Sequence, residues 1–313
     1  MTYPEKQTTS SVLMVRPANF GFNEETFETC PFQTKTDMPA PILQQKALFE
    51  FDLLVKYLKH AGVNALVFED TPYPVKPDAI FPNNWITFHE GGDVILYPML
   101  APNRRLERRM DILNSLRRDH GYPTSTILDL RPFEENNQFL EGTGSMVLDR
   151  ASKIVYACIS PRTHIEPLEK FAKNMGYEIF TFHTRDKLAK PVYHTNVVMS
   201  VGEKYAVACL EAVADKTEAR KLAKKLKDTN HKLINISLDQ LYAFCGNILE
   251  VKNTKGEPIT IMSTQAYKAF NPKQLSVIDK YSERITSPAY TIEATSGGSV
   301  RCMLAEIFPP VDS

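Results

Sequence analysis

Short apolar runs rich in β-branched and aromatic residues recur along the whole chain. They lie at 11–17, 64–69, 93–99, 153–160, 178–183, 196–201, 205–210, 231–237, 247–253 and 303–308, and their length and composition predict strands. Between them fall segments with helical periodicity. Over 44–62, Ala47, Phe51, Leu54 and Leu58 form one apolar stripe, and Gly62 supplies a stop. Over 103–121 the stripe is Leu106, Met110, Leu113 and Leu116, ending before Gly121. Segments 165–176 and 215–228 add two further helices. The mixture predicts an α/β fold. The strands are too numerous, and too often adjacent without a helix between them, for a plain doubly wound sheet.

Composition narrows the class. The 313 residues are 43% hydrophobic and 24% charged, enough apolar material for a large core. No linker or low-complexity segment interrupts the chain, so residues 1–313 are read as a single catalytic domain. Lys+Arg and Asp+Glu both number 37. That balance argues against a nucleic-acid partner and against an anionic membrane surface. No apolar run is long enough for a secretory or membrane segment, so the expected location is cytoplasmic. Cysteines at 30, 158, 209, 245 and 302 lack metal-ligand spacing, and the seven histidines show no HxxxH pair. Free thiols and no metal are expected. Phosphate-cradling glycine motifs and a GxSxG elbow are absent. The oligomeric state is left open, a homo-oligomer included.

Four stretches could carry chemistry. In SGGSVRC, Gly297 and Gly298 permit positive φ and close approach, and Arg301 places a positive charge near Cys302. In PVYHTNVVMS, His194 heads an apolar strand, where a base can project into a cleft. In FLEGTGSM, Glu141 stands between an apolar residue and a Gly-x-Gly turn, a setting that buries a carboxylate. In the segment 77–107, Asp78, Asn83 and Asn84 flank Phe81-Pro82, and Arg104 and Arg105 open a helix. Paired arginines there oppose the helix dipole and gain a reason if they bind a carboxylate. Each stretch taken alone has an ordinary structural explanation: a small core thiol, a surface histidine, a turn-forming acid, a solvated basic face.

Taken in order, these stretches resemble the guanidine-modifying superfamily of arginine deiminases, dimethylarginine dimethylaminohydrolases, succinylarginine dihydrolases and amidinotransferases. The matching order is an Asp-bearing segment, Pro-Met followed by Arg-Arg, Glu-Gly, Ser-x-Arg-Thr, His-x-Asn and Gly-Gly-x-x-x-Cys, over about residues 11–308. The nearest resemblance is to the citrulline hydrolase branch. It implies a five-bladed α/β propeller of ββαβ units around a central substrate channel. It implies that Cys302 is the nucleophile, His194 the general acid/base and Glu141 the carboxylate that orients it. Arg104 and Arg162 match arginines that grip a substrate carboxylate, Asp78 a contact to the amino-acid head group, and the loop after VRPANFGF a mobile flap. No metal or organic cofactor is implied, and the expected partner is a small amino-acid substrate, citrulline or an arginine derivative.

Two departures bear on the substrate. Asn84 and Asn196 stand where deiminases carry aspartates that clasp a guanidinium. Burying a permanent cation without anions is costly, whereas a neutral ureido group can exchange hydrogen bonds with two amides. The sequence therefore leads to an expected hydrolysis of L-citrulline to ornithine, ammonia and carbon dioxide through a Cys302-linked intermediate. The alternatives are an arginine deiminase, a dimethylarginine- or succinylarginine-type dihydrolase, or an amidinotransferase. The resemblance also implies an aspartate at Gly144, three residues after Glu141, where this chain has none.

Overall fold

The computed structural model describes residues 5–122 and 124–308. Fifteen strands appear in the order β1 Ser11–Arg16, β2 Asn64–Glu69, β3 Ile86–Phe88, β4 Asp93–Leu96, β5 Thr126–Asp129, β6 Val147–Asp149, β7 Ile154–Cys158, β8 Glu178–Phe182, β9 Met199–Val201, β10 Tyr205–Ala208, β11 Lys232–Asn235, β12 Leu249–Lys252, β13 Pro258–Ser263, β14 Glu283–Ser287 and β15 Ala305–Ile307. They form five three-stranded sheets of one topology. In β3-β4-β5, β6-β7-β8, β9-β10-β11 and β12-β13-β14, the first two strands are an antiparallel pair. The third lies parallel to the second. A parallel neighbour needs a crossover, and helices fill that role. In the remaining sheet the last strand takes the place of the first: β15 pairs antiparallel with β1, and β1 parallel with β2.

The crossovers show why the sequence was partly legible. Helix Ala40–His60 joins β1 to β2, and its expected stripe of Ala47, Phe51, Leu54 and Leu58 is fully buried. Each larger side chain of that stripe contributes roughly 1.5–3 kcal/mol of burial. Helices Ile165–Met175 and Lys216–Asp228 form where the periodicity puts them, the second capped by Asp215. The expected 103–121 helix is broken. A turn at Pro102–Arg105 and a helix at Met110–Asp119 replace it, leaving Leu106 and Met110 exposed. The break lets Glu107 turn inward to hold Arg104 in a two-bond clasp. Arg104 and Arg105 therefore end a short helix rather than begin one, where the dipole favours them. The expected strand at 196–201 is likewise shortened, because Thr195–Val198 coils into a helical turn and only Met199–Val201 extends. Four apolar clusters form the core, and Cys302 belongs to one of them.

Candidate active site

Just before the first strand of each sheet the chain makes one tight turn. These are Pro82–Asn84 before β3, Gly142–Ser145 before β6, Thr195–Val198 before β9 and Val300–Met303 before β15. Phe244–Asn247, closed by the Asn247 N–H donating to the Phe244 carbonyl, precedes β12. The turn at 142–145 packs against those at 82–84 and 195–198, and 82–84 against 300–303. Close approach dictates the glycines. A Cβ on Gly142 would lie 2.2 Å from the Asn83 carbonyl oxygen, and one on Gly246 would lie 2.3 Å from that of Val197.

The turns bring the predicted residues together. Asp78, Asn84, Arg104, Arg162, His194 and Cys302 line one narrow cavity. Glu141 stands behind His194, its Oε2 accepting from His194 Nε2 at 2.8 Å. A carboxylate can only accept, so Nε2 carries the proton and Nδ1 is left free as a base. Asn196 Nδ2 donates to Cys302 Sγ at 3.4 Å. All eight side chains are buried. Several of their polar atoms lack a protein partner: Asp78 Oδ1, Asn84 Nδ2 and Asn196 Oδ1. Buried polar groups are seldom left so, and these three belong to residues of one site.

The charges interlock. Glu141 Oε2 lies 3.7 Å from Arg104 Nη1 and 3.6 Å from Arg162 Nη1. Burial pushes the Glu141 carboxyl up, but Arg162, the bond from His194 and Arg104 outweigh it and hold the group well below the carboxylate range. Burial, aided by the two arginine charges and opposed by Glu141, pulls His194 down to about 4. The imidazole is therefore neutral near pH 7. Burial raises Asp78, with Arg104 opposing. The arginines are less free than a carboxylate clamp implies. Arg104 gives Nε and Nη2 to Glu107 at 2.9 and 3.0 Å. Arg162 gives Nε and Nη2 to Thr29 Oγ1, and Nη2 also to the Thr26 carbonyl. Thr26, which lines the cavity, and Thr29 belong to the segment after VRPANFGF. Asn23 fastens the same segment to Asp78 Oδ2 at 2.7 Å.

Some details differ from the sequence reading. Arg301 does not serve the sulfur; it donates to the Leu304 carbonyl and to Glu306 at 2.8 Å each. Gly297 does adopt positive φ, 74°. Yet what approaches it is Cys30, whose sulfur would lie 2.4 Å from an added Cβ, while Gly298 rests on the Phe81 ring. No aspartate is needed at Gly144. An added Cβ there would sit 2.4 Å from Asn84 Nδ2 and 2.7 Å from His194 Nδ1. The glycine makes room for the base, and the arginines and the Leu100 N–H, at 3.0 Å, support Glu141 instead. Asn247 was not foreseen. Its Nδ2 lies 3.3 Å from Cys302 Sγ. The one available signal was an asparagine just before a strand, as at Asn84 and Asn196.

A family model described as N,N dimethylarginine dimethylhydrolase, eukaryotic, matches residues 16–309. The chain belongs to this family. It is thereby a member of the guanidine-modifying superfamily that its ordered motifs resemble. No curated protein matches the chain. Among solved structures, the family fold recurs in the N-terminal domain of ArgZ, an arginine dihydrolase from the ornithine-ammonia cycle in cyanobacteria, bound to substrate. The identity is 15%, the TM-score 0.72, and the match covers 96% of this chain and 99% of that one. Unliganded AgrE matches at 18% identity and TM-score 0.74, over 97% of this chain and 40% of its own. A dimethylarginine dimethylaminohydrolase carrying an adduct with S-methyl-L-thiocitrulline matches at 15% and 0.61, over 96% and 100%. The family is described by a methylated guanidine substrate, and no comparison supports the expected preference for citrulline. Among the described residues, no helix is long and apolar enough to cross a membrane.

Proposed function

We propose that the protein hydrolyses a C–N bond at the guanidino carbon of arginine or an arginine derivative, with Cys302 as nucleophile. The observation that carries this reading is the convergence of Cys302, neutral His194 and buried Glu141 beside Asn84 and Asn196. Family membership supports it, and it replaces citrulline as the first choice. In this reading the whole chain is one catalytic domain, its five sheets being blades of an α/β propeller closed by β15.

The Cys302 proton passes to His194 Nδ1. The thiolate attacks the planar carbon, forming C–S, and the C–N electrons leave with the amine as the tetrahedral adduct collapses. The departing amine takes the proton from His194. His194 then deprotonates a water, whose oxygen attacks the same carbon. The C–S bond breaks, and the departing sulfur takes back the proton from His194, restoring thiol and neutral imidazole. Glu141 favours the imidazolium that forms between the two transfers. Asp78 receives the α-ammonium, while Arg104 and Arg162 draw the α-carboxylate by charge-assisted bonds. Asn84 and Asn196 meet the terminal nitrogens.

One observation favours a second reading, hydrolysis of the ureido group of citrulline to ornithine. The groups left unpartnered around the reacting end are a donor, Asn84 Nδ2, and an acceptor, Asn196 Oδ1. That pair suits a neutral group with both a carbonyl and N–H bonds. Incubation with arginine, dimethylarginine, succinylarginine and citrulline, with ornithine, citrulline, ammonia and alkylamine measured, decides between them. Amine release from a guanidino substrate upholds the first reading; ornithine from citrulline alone upholds the second. Equal turnover by wild type and Cys302→Ser rejects both.

A further inference from the structure

We infer that Asn247 is a further catalytic residue: its side-chain amide joins that of Asn196 in a two-donor cradle that stabilises the thiolate formed when His194 takes the Cys302 proton. The inference rests on Cys302 being the nucleophile, as proposed above.

Asn247 is fully buried. Its Nδ2 lies 3.3 Å from Cys302 Sγ, nearer than its Oδ1, which accepts from the thiol at 3.7 Å, and 3.0 Å from the Asn196 carbonyl oxygen. Asn196 Nδ2 approaches the same sulfur at 3.4 Å. An amide NH2 has two donors, so one Asn247 nitrogen can serve the Asn196 backbone and the sulfur together. The contact follows from the backbone. Phe244 takes a left-handed φ of 61°, and Gly246 lies so close to Val197 that no Cβ fits. The Phe244–Asn247 turn is thereby pressed onto the turn that carries Asn196.

Chemistry assigns the role. Amide N–H groups aimed at sulfur favour the charged form over the neutral thiol. Arg301, the cation nearest in sequence, is paired with Glu306. The ionisable groups lining the cavity with Cys302 are Asp78, Arg104, Arg162, Tyr193 and His194, with Glu141 behind His194. None of these hydrogen-bonds to the sulfur. Asn247 also occupies the position in its sheet that Asn84 occupies in its own, two residues before the first strand. Three of the other four turns carry a side chain that the proposed mechanism uses, Glu141 immediately precedes the fourth, and Asn247 adds the fifth.

The test is the pH dependence of Cys302 alkylation by iodoacetamide, with the modified residue located by mass spectrometry. Asn247→Asp keeps the shape but sets a carboxylate against the sulfur; Asn247→Ser removes both amide donors. Both are expected to raise the midpoint of alkylation by about one pH unit or more, Asn247→Asp further than Asn247→Ser. In each variant kcat at neutral pH falls and recovers as pH rises. Thermal melting checks that the variants fold. A midpoint unchanged in either folded variant overturns the role of Asn247. A wild-type Cys302 that resists alkylation, with turnover surviving Cys302→Ser, instead overturns the nucleophile assignment.

Discussion

Replacing Glu141 by glutamine keeps the shape of the side chain and removes its charge. At an effective dielectric near 20, the contacts at 3.7 Å to Arg104 and 3.6 Å to Arg162 each correspond to about 4–5 kcal/mol of Coulomb attraction. The desolvation of the buried carboxylate offsets much of this. Removing one partner of a buried pair costs about 3–5 kcal/mol net. The low end applies here, because Arg104 keeps Glu107 and Arg162 keeps Thr26 and Thr29. A loss of about 3 kcal/mol lowers the melting temperature of a chain of 313 residues by roughly 4–5 °C. The amide oxygen of the Glu141→Gln variant can still accept from His194 Nε2, so the ring keeps its orientation and loses only the charge that favours imidazolium. The expected fall in kcat/KM is on the order of 10²–10³. Calorimetry and steady-state kinetics on the best substrate measure both. A variant that melts with the wild type and turns over at its rate shows that Glu141 neither holds the arginines nor serves the base.

Gly144→Ala puts a methyl group 2.4 Å from Asn84 Nδ2 and 2.7 Å from His194 Nδ1; displacing the base is expected to cost about a hundredfold in kcat, and full activity in this variant refutes the crowding. Asn84→Asp adds a carboxylate beside the reacting end, worth about 4 kcal/mol to a cation about 4 Å away. The ratio of kcat/KM for arginine to that for citrulline should rise at least about a hundredfold, and a fixed ratio argues that Asn84 does not meet this group. Because His194 is held at about 4 in the fold against 6.5 for the free group, the unfolded chain binds the extra proton first. Its contribution is fully present above pH 6.5 and is lost as pH falls to about 4, about 3 kcal/mol in all. Urea titrations across that window should show a smaller acid loss in His194→Gln than in wild type, and parallel curves would contradict the burial argument.

Strands such as β1 and β7, almost wholly buried, were legible from their apolar runs, whereas β13, nearly as buried, and β14 were not read. β5 escaped notice because it is mostly exposed. β3 and β6 have only three residues each, too few for any periodicity. The 103–121 helix is interrupted because the chain bends there to bury Glu107 against Arg104. The eight side chains singled out do come together, because they sit on motifs whose order is distinctive; their roles belong to the proposal above. Hidden from sequence were the partners each residue would take. Nothing in the letters says that Arg301 binds Glu306, that Arg162 holds Thr29, or that Asn247 touches the sulfur. Those contacts depend on which turns press together, a property of sheet packing rather than of any local pattern. The sequence points to citrulline because Asn84 and Asn196 read there as missing charges; the counter-charge at Glu141 and the family match change that balance.

The pairing of Leu13 with Ala305 and Ser11 with Ile307 joins the first described strand to the last like a clasp. The sulfur rides three residues ahead of that clasp, whereas base and carboxylate belong to earlier sheets. Under the proposed function, a half-made or half-opened molecule lacks a Cys302 held beside His194 and is expected to be inactive. Contacts so distant along the chain form late. Turnover in a refolding experiment should thus return only with the pairing of β15 and β1, behind the recovery of helical signal, making catalysis a reporter of that last pairing.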